Sequence, residues 1–238
     1  MKMGPDQSAR PERRVDIGRL KKTVAVRFVF AFLVLGLIFF WPAGTFRYWQ
    51  AWTYIALLSI LMLRAFAYLI RKDPELLERR MRAKEKEPRQ KVITSLSTPV
   101  FLAIFLLPGF DRRYGWSSVP VLVVIAADIL ALAGYGLFLR VLRENSYASR
   151  IVEVEENQKV ITTGPYALVR HPMYIGIMVM FVFTPLALGS YWAVLPALLV
   201  ILVLVARISN EEKVLIRELP EYREYMQRVR YRLIPGVW

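Results

Sequence analysis

The sequence predicts an all-α, polytopic helical membrane protein with about six transmembrane helices. Three observations carry this. Of the 238 residues, 56% are hydrophobic and the mean hydropathy is +0.37, where soluble domains average about 45–50% apolar. The apolar residues fall in blocks of roughly the length, about 20 residues, that crosses a bilayer core. The charges lie between the blocks, and Lys and Arg crowd alternate connections.

Taken in order, the first span is expected at 23–41 and the second at 49–70. Asp73-Pro74-Glu75 then reads as an N-cap and first turn opening a short helix. A third span at 96–110 is short and interrupted by Pro99 and Pro108. The fourth is expected at 119–142, the fifth at 173–188 and the sixth at 191–208. Only Gly189 and Ser190 separate the last two, which predicts a tight antiparallel hairpin. Residues 211–230 read as an amphipathic helix broken near Pro220, with Leu215, Leu219, Tyr222, Tyr225 and Val229 on one face.

Charge sets the expected orientation. The stretch before the first span, the 71–91 connection, the segment after the fourth span and the C-terminal tail are all basic. The opposite side holds only Arg47, Arg112 and Arg113. An integral, multi-pass protein of the cell membrane with both termini cytoplasmic follows from the positive-inside pattern. Trp41, Trp49, Trp52, Trp116 and Trp192 are then an aromatic belt on the far side. No internal repeat is visible, and the chain reads as one membrane domain in three stretches. These are a cytoplasmic N-terminal segment (1–22), polar and frayed to about Ile17, an N-terminal group of transmembrane helices (23–142), and a C-terminal region (143–238). No small-residue cleavage site follows the first apolar run, so no signal peptide is expected.

The counts exclude several chemistries. There is no Cys and one His, which removes disulfides, thiolate nucleophiles, Fe–S clusters and His-rich metal cages. No metal site is expected. A Ser–His–acid triad needs only one imidazole and is not excluded by counting. A Rossmann fingerprint, a P-loop and an HExxH motif are absent. The Gly134-Tyr135-Gly136 run lies inside an apolar block and reads as close helix packing. The net charge of +14 does not indicate nucleic acid, because the basic residues flank apolar spans instead of forming one patch.

The last third is where chemistry concentrates. Gly164-Pro165-Tyr166-x3-Arg170-His171-Pro172-Met173-Tyr174-x-Gly176 packs polar and turn residues at the start of the fifth span. Pro172 fits a first helical turn. His171 then stands at or near the N-cap, beside free backbone N–H groups that can receive an anion. Tyr174 lies one turn in. Arg207 and Glu211 share one helix face at i and i+4, and the tight hairpin brings them near His171. Taken singly, each feature has a plainer meaning: a helix cap, a snorkelling Arg, an ordinary helix pair. Their convergence on one place favours a pocket. Asp128, in mid-span, is either functional or paired with Arg64 or a tyrosine hydroxyl.

The run from Gly164 to Gly176, then Glu211-Glu212, then Pro220-x-Tyr222-x2-Tyr225-x3-Val229, resembles the isoprenylcysteine carboxyl methyltransferases. The resemblance covers roughly residues 140–238; the N-terminal half matches only in hydrophobicity and in a Pro74-Glu-Leu-Leu77 loop. It implies an integral membrane enzyme using S-adenosyl-L-methionine, with a non-Rossmann cofactor pocket at the cytoplasmic side. By resemblance, Gln158, Lys159, Val160, Ile161, Tyr166, His171, Pro172, Met173, Tyr174 and Glu211 are cofactor-binding. Arg207 is implied to be the catalytic residue that holds the substrate carboxylate. Eukaryotic members carry His where this chain has Gln158.

The residues suit such a reaction. A carboxylate acceptor is ionised at neutral pH, so methyl transfer needs alignment and desolvation more than a general base. Arg207 offers a forked pair to the acceptor, and an aromatic ring such as Tyr174 can face a cationic sulfur. The expected partners are a lipophilic carboxylate substrate arriving from the bilayer, between helices, and membrane lipids. Related alternatives stay open at this point: phospholipid or amine N-methyltransferases, NADPH-dependent sterol reductases, and a non-catalytic membrane partner protein.

Overall fold

The structure, a computed structural model, describes residues 15–81, 85, 87–154 and 158–238; the expected frayed N-terminal stretch lies almost wholly outside them. All the regular secondary structure among the described residues is helical, with no strand. The elements are α1 (Ile17–Ala43), α2 (Trp49–Lys72), α3 (Pro74–Met81), α4 (Pro88–Tyr114), α5 (Val121–Glu144), α6 (Pro172–Ala187), α7 (Val194–Glu218) and α8 (Tyr222–Arg228), with a short 3-10 turn at Gly164–Ala167.

Local chemistry sets the ends. The Asp16 carboxylate accepts from the Arg19 N–H at 3.0 Å and caps α1, satisfying a donor with no partner inside the helix. Asp73 does the same for α3, accepting from the Leu76 N–H at 2.9 Å. The turn between α6 and α7 uses Gly189 at φ 77, a left-handed backbone that favours glycine, and so forms the expected hairpin.

Five helices are long and apolar enough to cross a membrane: α1, α2, α4, α5 and α7. The sixth expected span, α6, is a shorter apolar helix of 16 residues, about 24 Å at 1.5 Å per residue, and it runs between the same two ends of the bundle, from His171 at the cavity to Leu188 beside Tyr48. The third span is longer than expected. α4 runs unbroken for 27 residues through Pro99 and Pro108, as membrane helices tolerate prolines when neighbours re-satisfy the backbone. The last span is also longer than expected: α7 continues past residue 208 to Glu218, so the amphipathic segment is its extension plus the separate α8.

The helices close a ring in which α2 meets α1, α1 meets α4, α4 meets α7, α7 meets α6, α6 meets α5 and α5 returns to α2. The α5–α6 contact is the most extensive. Gly134 and Gly176 face each other there: a β carbon on Gly134 would lie 2.7 Å from the Gly176 carbonyl oxygen. At one end of the ring Trp41, Trp49, Trp52, Trp116 and Trp192 are all exposed, the arrangement expected of an interfacial belt. There the Tyr48 hydroxyl donates to the Leu188 carbonyl, and buried Asp111 accepts from Ser190 Oγ at 2.5 Å. The opposite end gathers α3, the C-terminal end of α5, the start of α6, the end of α7 and α8. Leu219, Tyr222, Tyr225 and Val229 pack there as one apolar cluster, the face read from their spacing.

Candidate active site

At that second end, residues 145–154 and 158–171 fold back over the bundle and enclose a cavity. It holds about 870 Å³ of unfilled space including its mouth. Gln158, Lys159, Val160 and Ile161 line it from the loop, Tyr166 from the 3-10 turn, and His171, Met173 and Tyr174 from the start of α6. Arg207 and Glu211 line it from α7. The structure thus brings together every expected site residue except Pro172, which is buried at the first turn of α6 and sets its start.

Tyr174 is the hinge between the two α7 residues. Its hydroxyl donates to Glu211 Oε2 at 2.5 Å and accepts from Arg207 Nε at 2.9 Å. Arg207 also donates through Nη2 to the Arg150 carbonyl at 2.9 Å, so its guanidinium is fixed from two sides.

His171 departs from the expectation of an open anion site. Its side chain does not cap α6. Its backbone N–H donates to the Arg232 carbonyl, and its Nε2 lies 3.2 Å from Glu212 Oε1. Glu212 is the residue that sequence reasoning missed. It is 2% exposed and receives Arg170 Nε and Arg232 Nε, each at 2.7 Å. Arg170 in turn donates to the Val229 and Arg230 carbonyls. This clasp fastens the C-terminal tail over the start of α6. The Tyr225 hydroxyl adds a 2.7 Å bond to the Tyr166 carbonyl. The only signal for Glu212 in the sequence was its place beside Glu211; one step along a helix turns a side chain by about 100°, away from the cavity and into the tail.

The cavity's tyrosines stay neutral. Burial pushes Tyr166 up to about 12, against the Asn145 hydrogen bond that lowers it. Burial likewise raises Tyr222 and Tyr225. The Tyr222 hydroxyl is buried, lines the cavity and has no partner, a donor placed for a bound polar group.

A second cavity abuts the first. It runs between α4, α6 and α7, with about 800 Å³ of unfilled space including its mouth. Met173, Tyr174, Arg207 and Ser149 line both cavities. Its body is apolar, with Phe101, Ile177, Phe181, Val203 and Leu204, and its head carries Arg80, Arg150 and Arg207. Arg80, from α3, entered the sequence reading only as one charge of a basic connection.

The residues fit S-adenosylmethionine. Its adenine needs an apolar wall, which Val160, Val214 and Leu219 offer; its polar groups need Glu211 and the unpartnered Tyr222 hydroxyl. Asp128 belongs to neither cavity. It faces a small cleft with Tyr54 and Tyr135, and neither expected partner reaches it.

Comparison with known proteins agrees with this architecture. Residues 122–221 match the phospholipid methyltransferase family. No curated protein matches the chain in sequence. Among solved structures, a eukaryotic intramembrane Ras methyltransferase, isoprenylcysteine carboxyl methyltransferase, shares the fold with a TM-score of 0.54 and 16% identity, over 94% of this chain and 88% of that one. The chain is therefore a multi-pass helical membrane protein that shares its fold with that methyltransferase, and its residues 122–221 match the phospholipid methyltransferase family.

Proposed function

We propose that the protein transfers the methyl group of S-adenosylmethionine to a carboxylate on a lipophilic, isoprenylcysteine-like acceptor, on the cytoplasmic side of the cell membrane. One observation carries the reading: two cavities of different character meet at Tyr174, whose hydroxyl joins Glu211 to Arg207. Glu211 lines only the first and Arg207 lines both. The first suits the cofactor and the apolar second suits an acceptor drawn from the bilayer.

When bound, S-adenosylmethionine supplies a methyl group on a cationic sulfur. The chain's residues do the rest by placement. Glu211 accepts hydrogen bonds from the cofactor, and the tail clasped through Glu212 excludes water above it. Arg207 holds the acceptor carboxylate, and Tyr174 keeps Arg207 and Glu211 in register. No residue has to remove a proton, since the acceptor oxygen is already anionic. An amine acceptor, the phospholipid N-methyltransferase alternative, needs a base to unmask its lone pair, and no Asp or Glu lines the second cavity among the described residues.

Titration calorimetry of detergent-purified protein with S-adenosylhomocysteine and, in parallel, NADPH tests the class. Micromolar binding of the homocysteine product, lost in Glu211→Ala, is expected. Binding of NADPH alone would move the protein to the reductases.

A further inference from the structure

The charge in the second cavity is not accounted for by Arg207. Arg80 lines the same head and points no charge at an acid: among the described residues neither Arg80 nor Arg207 forms an ion pair with a carboxylate. Three other cations at this end do: Arg79, on the same helix, pairs with Glu75 at 3.0 Å, and Arg170 and Arg232 share Glu212. The groups that touch Arg80 are neutral. Its Nη1 donates to the Ala148 carbonyl at 3.1 Å and touches Met173 Sδ at 4.0 Å, and its guanidinium stacks 4.9 Å above the Phe138 ring. These contacts hold the group still but leave its charge unanswered.

A half-buried guanidinium without a counterion is costly. Burial, and then the like charges of Arg150 and Arg207 against the opposing Tyr135 and Tyr174, push Arg80 down to about 10. An anion between the cations removes that cost. The remaining N–H groups of the two guanidiniums are donors without acceptors, and the apolar body of the cavity leads away from them.

We propose that Arg80 is a second acceptor-binding cation: with Arg207 it holds the anionic head of an amphiphilic acceptor whose tail lies between α4, α6 and α7. This rests on the carboxylate reading above and deepens it, because it makes the site selective for charge at the head. A cationic amphiphile would meet two guanidiniums and, among the described lining residues, no acid.

The test uses full-length protein in detergent, saturated with S-adenosylhomocysteine. The probes are N-acetyl-S-farnesylcysteine, an acid, and S-farnesylcysteamine, the matching amine. Wild type is expected to bind the acid more tightly than the amine. Arg80→Gln is expected to weaken the acid by about tenfold or more, the worth of a charge-assisted hydrogen bond, and to leave the amine unweakened; Arg80→Lys recovers part of the loss. S-adenosylhomocysteine affinity serves as the folding control. Equal weakening of acid and amine in Arg80→Gln would mean a structural role and overturn the proposal. So would an acid affinity unchanged from wild type, and if Arg207→Ala still lost the acid, the carboxylate reading would survive alone. Wild type that binds S-adenosylhomocysteine but not the acid would remove the carboxylate reading itself, before any Arg80 variant is made.

Discussion

Gly134 of α5 and Gly176 of α6 stand so close that a β carbon on Gly176 would lie 2.6 Å from the Gly134 carbonyl oxygen. Neither obstacle is a side chain that can swing away. The two helices meet backbone to backbone, which is how membrane helices gain contact without a hydrophobic drive. Because α6 begins four residues earlier, at Pro172 beside His171, this contact also sets the height of the site. Gly176→Ala is expected to lower stability by about 1–3 kcal/mol, the usual cost of overpacking, and to weaken S-adenosylhomocysteine binding. Gly136→Ala is the control. Nothing lies within 4 Å of its β carbon, so its thermal unfolding in detergent should match or exceed wild type.

Arg207 and Tyr174 give the second prediction. Arg207→Ala should abolish methyl transfer while S-adenosylhomocysteine binding survives; equal loss of both would sink the division of roles between Arg207 and Glu211. Tyr174→Phe keeps the ring and removes the hydroxyl that receives Arg207 at 2.9 Å. It should lower turnover by about tenfold or more, through one lost hydrogen bond to charged groups. Arg207→Lys should not rescue, because a point charge cannot copy the guanidinium fork.

The Glu212 clasp gives the third. Glu212→Gln leaves Arg170 and Arg232 without their shared anion in a site where Glu212 is 2% exposed. Breaking one side of a buried ion pair costs about 3–5 kcal/mol. The expected outcome is a lower melting temperature, faster proteolysis of residues 222–238 and weaker cofactor-product binding, all together. Glu218→Gln removes an exposed pair with Arg217 and should change little, since solvent screens such pairs.

How far the sequence could be read follows from what each signal measures. Block hydropathy located α2, α5 and α6 within two residues at each end, because a membrane span is a property of a stretch. It fell short at α4. Pro99 and Pro108 look like helix breakers in a soluble context, yet neighbours in a bundle absorb them. Gathering of the site residues was legible from the hairpin and from the family motif. The clasp and Arg80 were not. Glu212 is distinguished from Glu211 only by which way a helix turns it, and Arg80 from Arg79 only by which of them finds an acid. Both are facts of three-dimensional register that spacing alone does not carry.

Asp128 closes the set. The sequence offered Arg64 or a tyrosine hydroxyl as its partner, but the Tyr54 hydroxyl bonds Thr184 at 2.8 Å, and Asp128 Oδ1 is buried with no hydrogen bond. The cleft beside it holds about 290 Å³ of unfilled space including its mouth and is lined by Leu57, Leu58, Leu61 and Met180, so an apolar side chain of similar size meets apolar neighbours there. A buried polar atom without a partner costs about 1–3 kcal/mol, and filling the cleft with methyl groups adds contacts. Asp128→Leu should therefore raise the melting temperature in detergent and leave methyl transfer intact, since no residue of the cofactor cavity lines this cleft. A variant that folds and melts like wild type but loses turnover would instead give this carboxyl a part in the reaction.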